Sequence, residues 1–175
     1  MDSLIKNAVQ SADSFQQNVH KDDEELLAVL SEHKARIKVV GVGGGGNNTL
    51  NRISQVGVEG ARTIAINTDA QDLHNSQAKK KIHIGKNLTK GLGAGMNPEV
   101  GRKAIEETKE EVQEAIKNTD MIFITCGLGG GTGTGSAPVV AEIAKAIKAL
   151  TVAIVTLPFT VEGRKRMENA MFGLE

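Results

Sequence analysis

The sequence predicts an α/β protein with a doubly wound, mostly parallel sheet, and three features lead to this prediction. From Arg36 onward, short runs of β-branched residues alternate with longer segments of helical character. The runs are almost continuously apolar, which is typical of parallel strands covered on both faces. Glycine-rich segments follow several of the runs, at the strand ends where such sheets bind ligands. The fold class is therefore Rossmann-like.

Residues 1–35 differ in composition and are predicted to form an amino-terminal helical extension. They contain neither glycine nor proline, and an acidic run at 22–25 precedes Leu26, Leu27 and Leu30. Acidic residues suit the positive end of a helix dipole, and the leucines form a narrow apolar stripe. We expect a helix packed on the main domain, with a partner-binding arm as the alternative.

The main domain is predicted to span residues 36–175 and to contain five strands and at least three helices. The strands are expected at 37–42, 63–67, 81–84, 121–126 and 151–157. A helix over 98–117 is expected because Asn97 can cap it and Pro98 fits its first turn. A second helix should begin near Ser136 or Pro138 and end at about Lys148, and a third should begin near Glu162.

The composition excludes several classes of protein. Basic and acidic side chains balance at 21 each, so binding of nucleic acid through bulk charge is not expected. No apolar run approaches the roughly 20 residues of a membrane-spanning helix, and the amino terminus does not resemble a secretion signal. We therefore expect a cytoplasmic protein without direct membrane insertion. The single cysteine, Cys126, is interpreted as a buried structural thiol, and the four histidines show no metal-ligand spacing.

The first glycine segment, residues 41–48, directly follows the first predicted strand and precedes a helix. Its backbone amides can converge on a phosphate because no side chain blocks the approach. Gly41, Gly43 and Gly46 also fit the pattern G-x-G-x-x-G, and Asp69 follows at a plausible distance for an acid that binds ribose. An NAD-dependent oxidoreductase is therefore one hypothesis for this segment.

The second glycine segment, residues 127–136, lies between the fourth predicted strand and a helix. Six of its ten residues are glycine, more than a structural turn needs. Its three hydroxyl side chains add possible donors, and the helix that follows favours an anion at its start. We therefore expect a phosphate-rich ligand; the alternative is a flexible linker. The hydroxyl residues are Thr132, Thr134 and Ser136.

The third glycine segment, residues 85–98, is predicted to be a long loop that enters the helix at Pro98. Long loops in compact domains are usually functional or disordered. Its amides are suited to a terminal phosphate, which would let it distinguish a triphosphate from a diphosphate. None of the three segments contains G-x-x-x-x-G-K-[ST], so the protein is not a P-loop nucleotide-binding protein. Amides and Mg²⁺ would have to balance the phosphate charge instead.

The run Gly-Gly-Gly-Thr-Gly-Thr-Gly at 129–135 is the signature of the tubulin/FtsZ family. Similar matches occur at 67–71, 91–98, 157–159 and 162–167, in the order and approximate spacing of FtsZ proteins. Over residues 36–175 the sequence therefore resembles FtsZ, and its helical leader resembles the extension of archaeal members. The resemblance implies the Rossmann-like GTPase fold of that family.

The resemblance also assigns roles to individual residues. In the first and second segments, the phosphates of GTP would be held by Gly44, Gly45, Gly46, Asn47, Asn48, Gly131, Thr132 and Gly133. Ala94 and Gly95 would face the γ-phosphate. Asn67 and Asp69 would lie near the phosphates and Mg²⁺. Glu162 and Arg166 would reach the ribose or its surroundings.

As a function, the resemblance implies a GTPase that binds GTP and GDP, with Mg²⁺ held through the phosphates. FtsZ proteins polymerise head to tail into protofilaments of the division ring, so the expected partners are further copies and division-ring proteins, at the division site. The sequence stops at Glu175, before the guanine-contacting residues and the acidic loop that acts on a neighbouring subunit's GTP. We therefore expect a truncated domain that hydrolyses GTP poorly alone. A relative that binds nucleotide only to regulate assembly is a further alternative.

Overall fold

The computed structural model describes residues 35–174. All but the last residue of the predicted helical extension, residues 1–35, lies outside the described residues. Among the helices that are described, none is both long and apolar enough to cross a membrane.

The described chain is built on one five-stranded sheet in which every pairing is parallel. In chain order the strands are β1 (Ile37–Val42), β2 (Ala61–Asn67), β3 (Lys80–His83), β4 (Met121–Gly127) and β5 (Leu150–Thr156). Their order across the sheet is β3-β2-β1-β4-β5. The chain thus winds outward in both directions from β1, which confirms the predicted doubly wound fold. In such a sheet the ligand crevice lies at the carboxyl ends of β1 and β4.

Seven helices and one short 3₁₀ turn connect the strands in the described residues. The helices are α1 (Gly43–Val56), α2 (Ala70–Asn75), α3 (Lys86–Thr89), α4 (Pro98–Glu106), α5 (Lys109–Ile116), α6 (Thr132–Ala146) and α7 (Arg164–Phe172), and the 3₁₀ turn covers Thr160–Glu162. The third glycine segment therefore contains a short helix, α3, which the sequence did not predict.

Alternate residues of the strands enter two separate apolar clusters. Val40 and Val42 belong to the larger cluster, together with the buried side of α6. Val39 belongs to the smaller cluster, where Leu50 of α1 is fully buried. This alternation follows from the two-residue repeat of a strand, and it buries β1 on both faces as the apolar run predicted.

The prediction of one continuous helix over 98–117 is wrong, because α4 ends at Glu106 and α5 begins at Lys109. Thr108 lies at the break with φ −122° and ψ 19°. Its hydroxyl donates a hydrogen bond to the carbonyl of Ala104 at 3.2 Å, and its amide donates to Ile105 at 3.1 Å. A threonine that bonds locally to the backbone competes with the helical ladder, which explains the interruption.

Two helices begin earlier than the sequence indicated. Helix α6 begins at Thr132, inside the second glycine segment, so Pro138 lies within the helix rather than at its start. Helix α1 likewise begins inside the first glycine segment, at Gly43. Glycine is a poor helix former, but propensity is a weak prior that tertiary packing overrides. Both glycine segments are therefore partly helix starts rather than loops.

Cys126 is the structural thiol that the sequence predicted. Its side chain is 2% exposed, and burial raises the pKa of the thiol to about 11. A thiol reacts as the thiolate, so at pH 8 we expect iodoacetamide to modify Cys126 only after the chain is unfolded. Mass spectrometry of native and urea-treated samples checks this; rapid labelling of the native chain would contradict the burial.

A candidate phosphate site at the strand ends

A cavity of about 300 Å³ opens at the carboxyl ends of β1, β4 and β5. The first glycine segment contributes Gly43 and the two glycines after it to the wall, and the second segment contributes most of residues 127–133. The chain after β5 closes the third side with Glu162 and Arg166. The cavity therefore lies at the switch point that the strand order indicates.

Backbone atoms of the first two segments lie in direct contact beside the cavity. Gly43 has φ +69°, and a Cβ placed on it would lie 2.9 Å from the amide nitrogen of Gly133. A Cβ on Gly45 would lie 2.9 Å from the amide nitrogen of Gly127. Such distances leave no space for a side chain, so glycine is required at both positions. At these two positions, backbone rather than a side chain therefore forms the cavity wall.

The hydroxyl groups of the second segment serve different purposes. The hydroxyl of Thr132 lies at the cavity wall and shares a hydrogen bond of 2.7 Å with the hydroxyl of Thr68, at the end of β2. The hydroxyl of Thr134 accepts from the amide of Gly129 at 3.0 Å. The hydroxyl of Ser136 donates to the carbonyl of Gly101 at 2.8 Å. The hydroxyls of Thr134 and Ser136 thus hold the backbone at Gly129 and Gly101 in place. Of the three hydroxyl residues, Thr132 is the one that lines the cavity.

The third segment packs on the second rather than lining the cavity. Ala94 is buried, and a Cβ placed on Gly131 would lie 2.8 Å from its Cβ. Gly95 follows it, exposed and with φ +55°. Neither Ala94 nor Gly95 is among the residues that line the cavity.

Asn169 of α7 joins the second and third segments. Its side chain is 5% exposed, and its Nδ2 donates to the carbonyl of Met96 at 3.0 Å and to that of Gly129 at 3.3 Å. The sequence reasoning missed this residue, because an asparagine within a polar helix carries no signal of its partners.

Two of the three asparagines of the predicted site hydrogen-bond to a carboxylate and do not line the cavity. Asn67 and Asn47 each donate through Nδ2 to Oδ2 of Asp72, at 2.6 and 3.2 Å. Asp69 caps α2, where its Oδ1 accepts from the amides of Gln71 and Asp72. Asp72 was missed too, since an acid in the first turn of a helix is commonplace.

The last three residues of the first segment, Gly46, Asn47 and Asn48, are not part of the cavity wall. Gly46 and Asn47 are buried within α1, and Asn48 is exposed on it. A Cβ on Gly46 would fall on the carbonyl of Thr125, so this glycine permits the close packing of α1 on the sheet.

Glu162 and Arg166 both line the cavity and are paired with each other. Arg166 donates through Nη1 to Oε2 of Glu162 at 3.1 Å, and Oε1 of Glu162 accepts from the amide of Phe159 at 2.8 Å. Among the lining residues of the described chain, Arg166 is the basic one. Backbone amides and the start of α6 must therefore supply most of the stabilisation for an anion at this site.

Comparison with known proteins gives a consistent picture. The model of the tubulin/FtsZ family GTPase domain matches residues 36–175. The chain is 58% identical to cell division protein FtsZ 1 of Methanocaldococcus jannaschii over an alignment of 176 positions, which covers 98% of this chain and 48% of that protein. The chain therefore spans about half the length of this curated relative.

Solved structures agree with the sequence comparison. An empty FtsZ dimer of M. jannaschii superposes with a TM-score of 0.83 at 64% identity, covering 87% of this chain and 45% of that one. CetZ2 of Haloferax volcanii, solved as a protofilament with GTPγS bound, superposes with a TM-score of 0.72 at 29% identity. The match covers 79% of this chain and 45% of that one.

These comparisons do not support the oxidoreductase hypothesis, although the first segment fits a dinucleotide pattern. The parallel sheet, the glycine segments at its switch point and the match over residues 36–175 lead to one conclusion: this chain belongs to the tubulin/FtsZ family, through its GTPase domain.

Proposed function

We propose that this chain is the nucleotide-binding part of a tubulin-like GTPase of cell division, and that it binds GTP and GDP at the cavity beside β1 and β4. The observation that carries the proposal is the contact between Gly43 and Gly133, which places backbone of two glycine segments against one cavity at the switch point. Convergent amides at a helix start are the usual way to hold phosphate without a P-loop lysine.

The roles that the resemblance assigns are proposed here for the predicted site residues that line the cavity. Gly44, Gly45, Gly131, Thr132 and Gly133 line the cavity and would hold the phosphates. Glu162 and Arg166 would lie beside the ribose. The third segment, with Ala94 and Gly95, packs on Gly131 and would contribute once a γ-phosphate is bound. Mg²⁺ would enter with the phosphates and neutralise part of their charge.

Assembly and hydrolysis are proposed for the complete protein from its relatives. The M. jannaschii structure is a dimer, and CetZ2 was solved as a protofilament with GTPγS bound. By analogy, the protein would associate with further copies head to tail, at the division site in the cytoplasm and together with other division-ring proteins. Hydrolysis would require a loop of the neighbouring subunit, because catalysis of phosphoryl transfer depends on positioning the attacking water.

The experiment is equilibrium binding of fluorescent GDP to the chain in the presence of Mg²⁺, with competition by excess GTP, GDP, ATP or NAD. We expect displacement by GTP and GDP and little by ATP or NAD. Displacement by NAD but not by GDP would overturn the proposal. Because hydrolysis would require a neighbouring subunit's loop, a GTP turnover assay on the assembled complete protein separates a GTPase from a protein that binds nucleotide only to regulate assembly.

A further inference from the structure

The side chain of Thr68 bonds to the cavity wall from behind it. Thr68 directly follows β2 and is fully buried, and its Oγ1 lies 2.7 Å from Oγ1 of Thr132. Thr132 lines the cavity, whereas Thr68 does not. Within the described part of the chain, the hydroxyl of Thr68 makes its hydrogen bond to Thr132. A residue outside the cavity is thus bonded to the signature threonine that lines it.

The backbone of Thr68 is held in place from the side of β3 and the third segment. Its carbonyl accepts from Nε2 of His83, the last residue of β3, at 3.2 Å. The same carbonyl accepts from the buried hydroxyl of Thr89 in α3 at 3.3 Å. A fixed backbone and a β-branched side chain leave the hydroxyl few orientations. The position of the oxygen that meets Thr132 is therefore set by the fold.

The hydrogen bond between the two threonines is not needed to satisfy either side chain. Thr132 lies at the cavity wall, where water can bond to its hydroxyl. A valine at position 68 would have a similar shape and would bury no polar atom, whereas a buried hydroxyl must find a partner. Thr68 therefore satisfies only a hydroxyl that it introduces itself, and its effect on Thr132 is the remaining explanation.

The direction of this hydrogen bond is decided once an anion occupies the cavity. Each hydroxyl carries one hydrogen and can also accept. An ionised phosphate oxygen only accepts, so Thr132 must donate its hydrogen to the phosphate, and its oxygen is then free to accept from Thr68. Donation from Thr68 to Thr132 and on to the phosphate strengthens both bonds, because each polarises the next.

We propose that Thr68 is a positioning residue for the bound phosphates: its hydroxyl donates to Oγ1 of Thr132 and thereby directs the hydrogen of Thr132 into the cavity. This inference rests on the proposed function. Thr68 does not line the cavity, so it acts on the ligand through Thr132 alone. Loss of the Thr68 hydroxyl should consequently weaken nucleotide binding only while the Thr132 hydroxyl is present.

The test is a double-mutant cycle on the dissociation constant for fluorescent GDP, with the unchanged chain, Thr68→Val, Thr132→Val and the double variant. We expect binding about 10-fold weaker in Thr132→Val, which loses a charge-assisted hydrogen bond. Thr68→Val should bind about 3-fold more weakly, and the double variant should bind as Thr132→Val does. An equal loss from Thr68→Val in both backgrounds indicates a structural role and would overturn the inference, as would an unaltered affinity of Thr68→Val.

A matched control is Thr63→Val, which removes a buried hydroxyl from β2 itself. The hydroxyl of Thr63 accepts from the amide of Lys79 at 3.0 Å, and Thr63 does not line the cavity. We expect Thr63→Val to bind GDP as the unchanged chain does. A loss equal to that of Thr68→Val would overturn the inference, because any buried threonine near this strand would then have the same effect. An unchanged chain that binds no GDP would instead overturn the proposed function.

A second pair of variants keeps the test decisive if Thr68→Val folds poorly. Thr68→Ser and Thr68→Ala both lack the methyl group and differ only in the hydroxyl. We expect Thr68→Ser to bind GDP about 3-fold more tightly than Thr68→Ala, and this difference to vanish when Thr132→Val is added to both. Equal GDP affinities of Thr68→Ser and Thr68→Ala in the presence of Thr132 would overturn the inference.

Discussion

Gly135→Ala should lower the free energy of unfolding by about 3 kcal/mol, the upper part of the range for overpacking in a rigid core. A Cβ on Gly135 would overlap the carbonyl oxygen of Pro98 and lie 2.7 Å from the amide nitrogen of Arg102. Both atoms belong to the backbone of α4, so no side-chain rotation can relieve the contact. Urea unfolding followed by circular dichroism measures the change, and thermal melting should shift by about 10 °C.

Gly130→Ala is the matched control for this prediction. Gly130 lies in the same glycine segment, has no positive φ, and a Cβ placed on it meets no atom within 4 Å. Its free energy of unfolding should change by less than about 0.5 kcal/mol. Equal stability of Gly135→Ala and Gly130→Ala would show that α4 and α6 are less closely packed than described.

Gly43→Ala should weaken GDP binding by about 100-fold, which corresponds to about 2.7 kcal/mol. Alanine at φ +69° is strained by about 1–2 kcal/mol, and its Cβ would lie 2.9 Å from the amide nitrogen of Gly133. The first segment must then move away from the second, and the amides of the two segments no longer converge on one phosphate. Fluorescent GDP titration below the melting temperature of the variant measures the loss.

The control for Gly43→Ala is Gly57→Ala, at the end of α1. Gly57 has φ +82° and open space around its Cβ position, so the substitution adds strain without a clash and lies outside the cavity wall. We expect a lower stability with unchanged GDP affinity. If both variants lost affinity equally, general destabilisation rather than the contact between the two segments would be responsible.

Much of the architecture could be predicted because it depends on local patterns. The five apolar runs became five parallel strands, with bounds that differ from prediction by no more than two residues at either end. The predicted helix bounds were wrong where a side chain bonds to the backbone in competition with the helical hydrogen bonds, because the apolar pattern gives no information about such bonds. Thr108 interrupts the helix predicted over 98–117 through its bond to Ala104, although the apolar spacing continues across it.

The candidate site was predictable only in part. Glycine-rich composition identified the first and second segments, since no other residue permits backbone to approach a ligand so closely. The roles of Asp72 and Asn169 were not predictable, because each acts on atoms from elements distant in sequence. Asp72 lies 25 residues from its partner Asn47, and Asn169 lies 73 residues from Met96.

The sequence by itself determined the fold class, the family signature and the two glycine segments that line the cavity. Only the tertiary structure decided which glycines line the cavity and which permit close packing. Gly130 faces open space, whereas Gly135, five residues later, touches the backbone of α4. Composition treats the two as equivalent; the difference arises because the volume available to a Cβ is set by atoms that folding brings there from elsewhere in the chain.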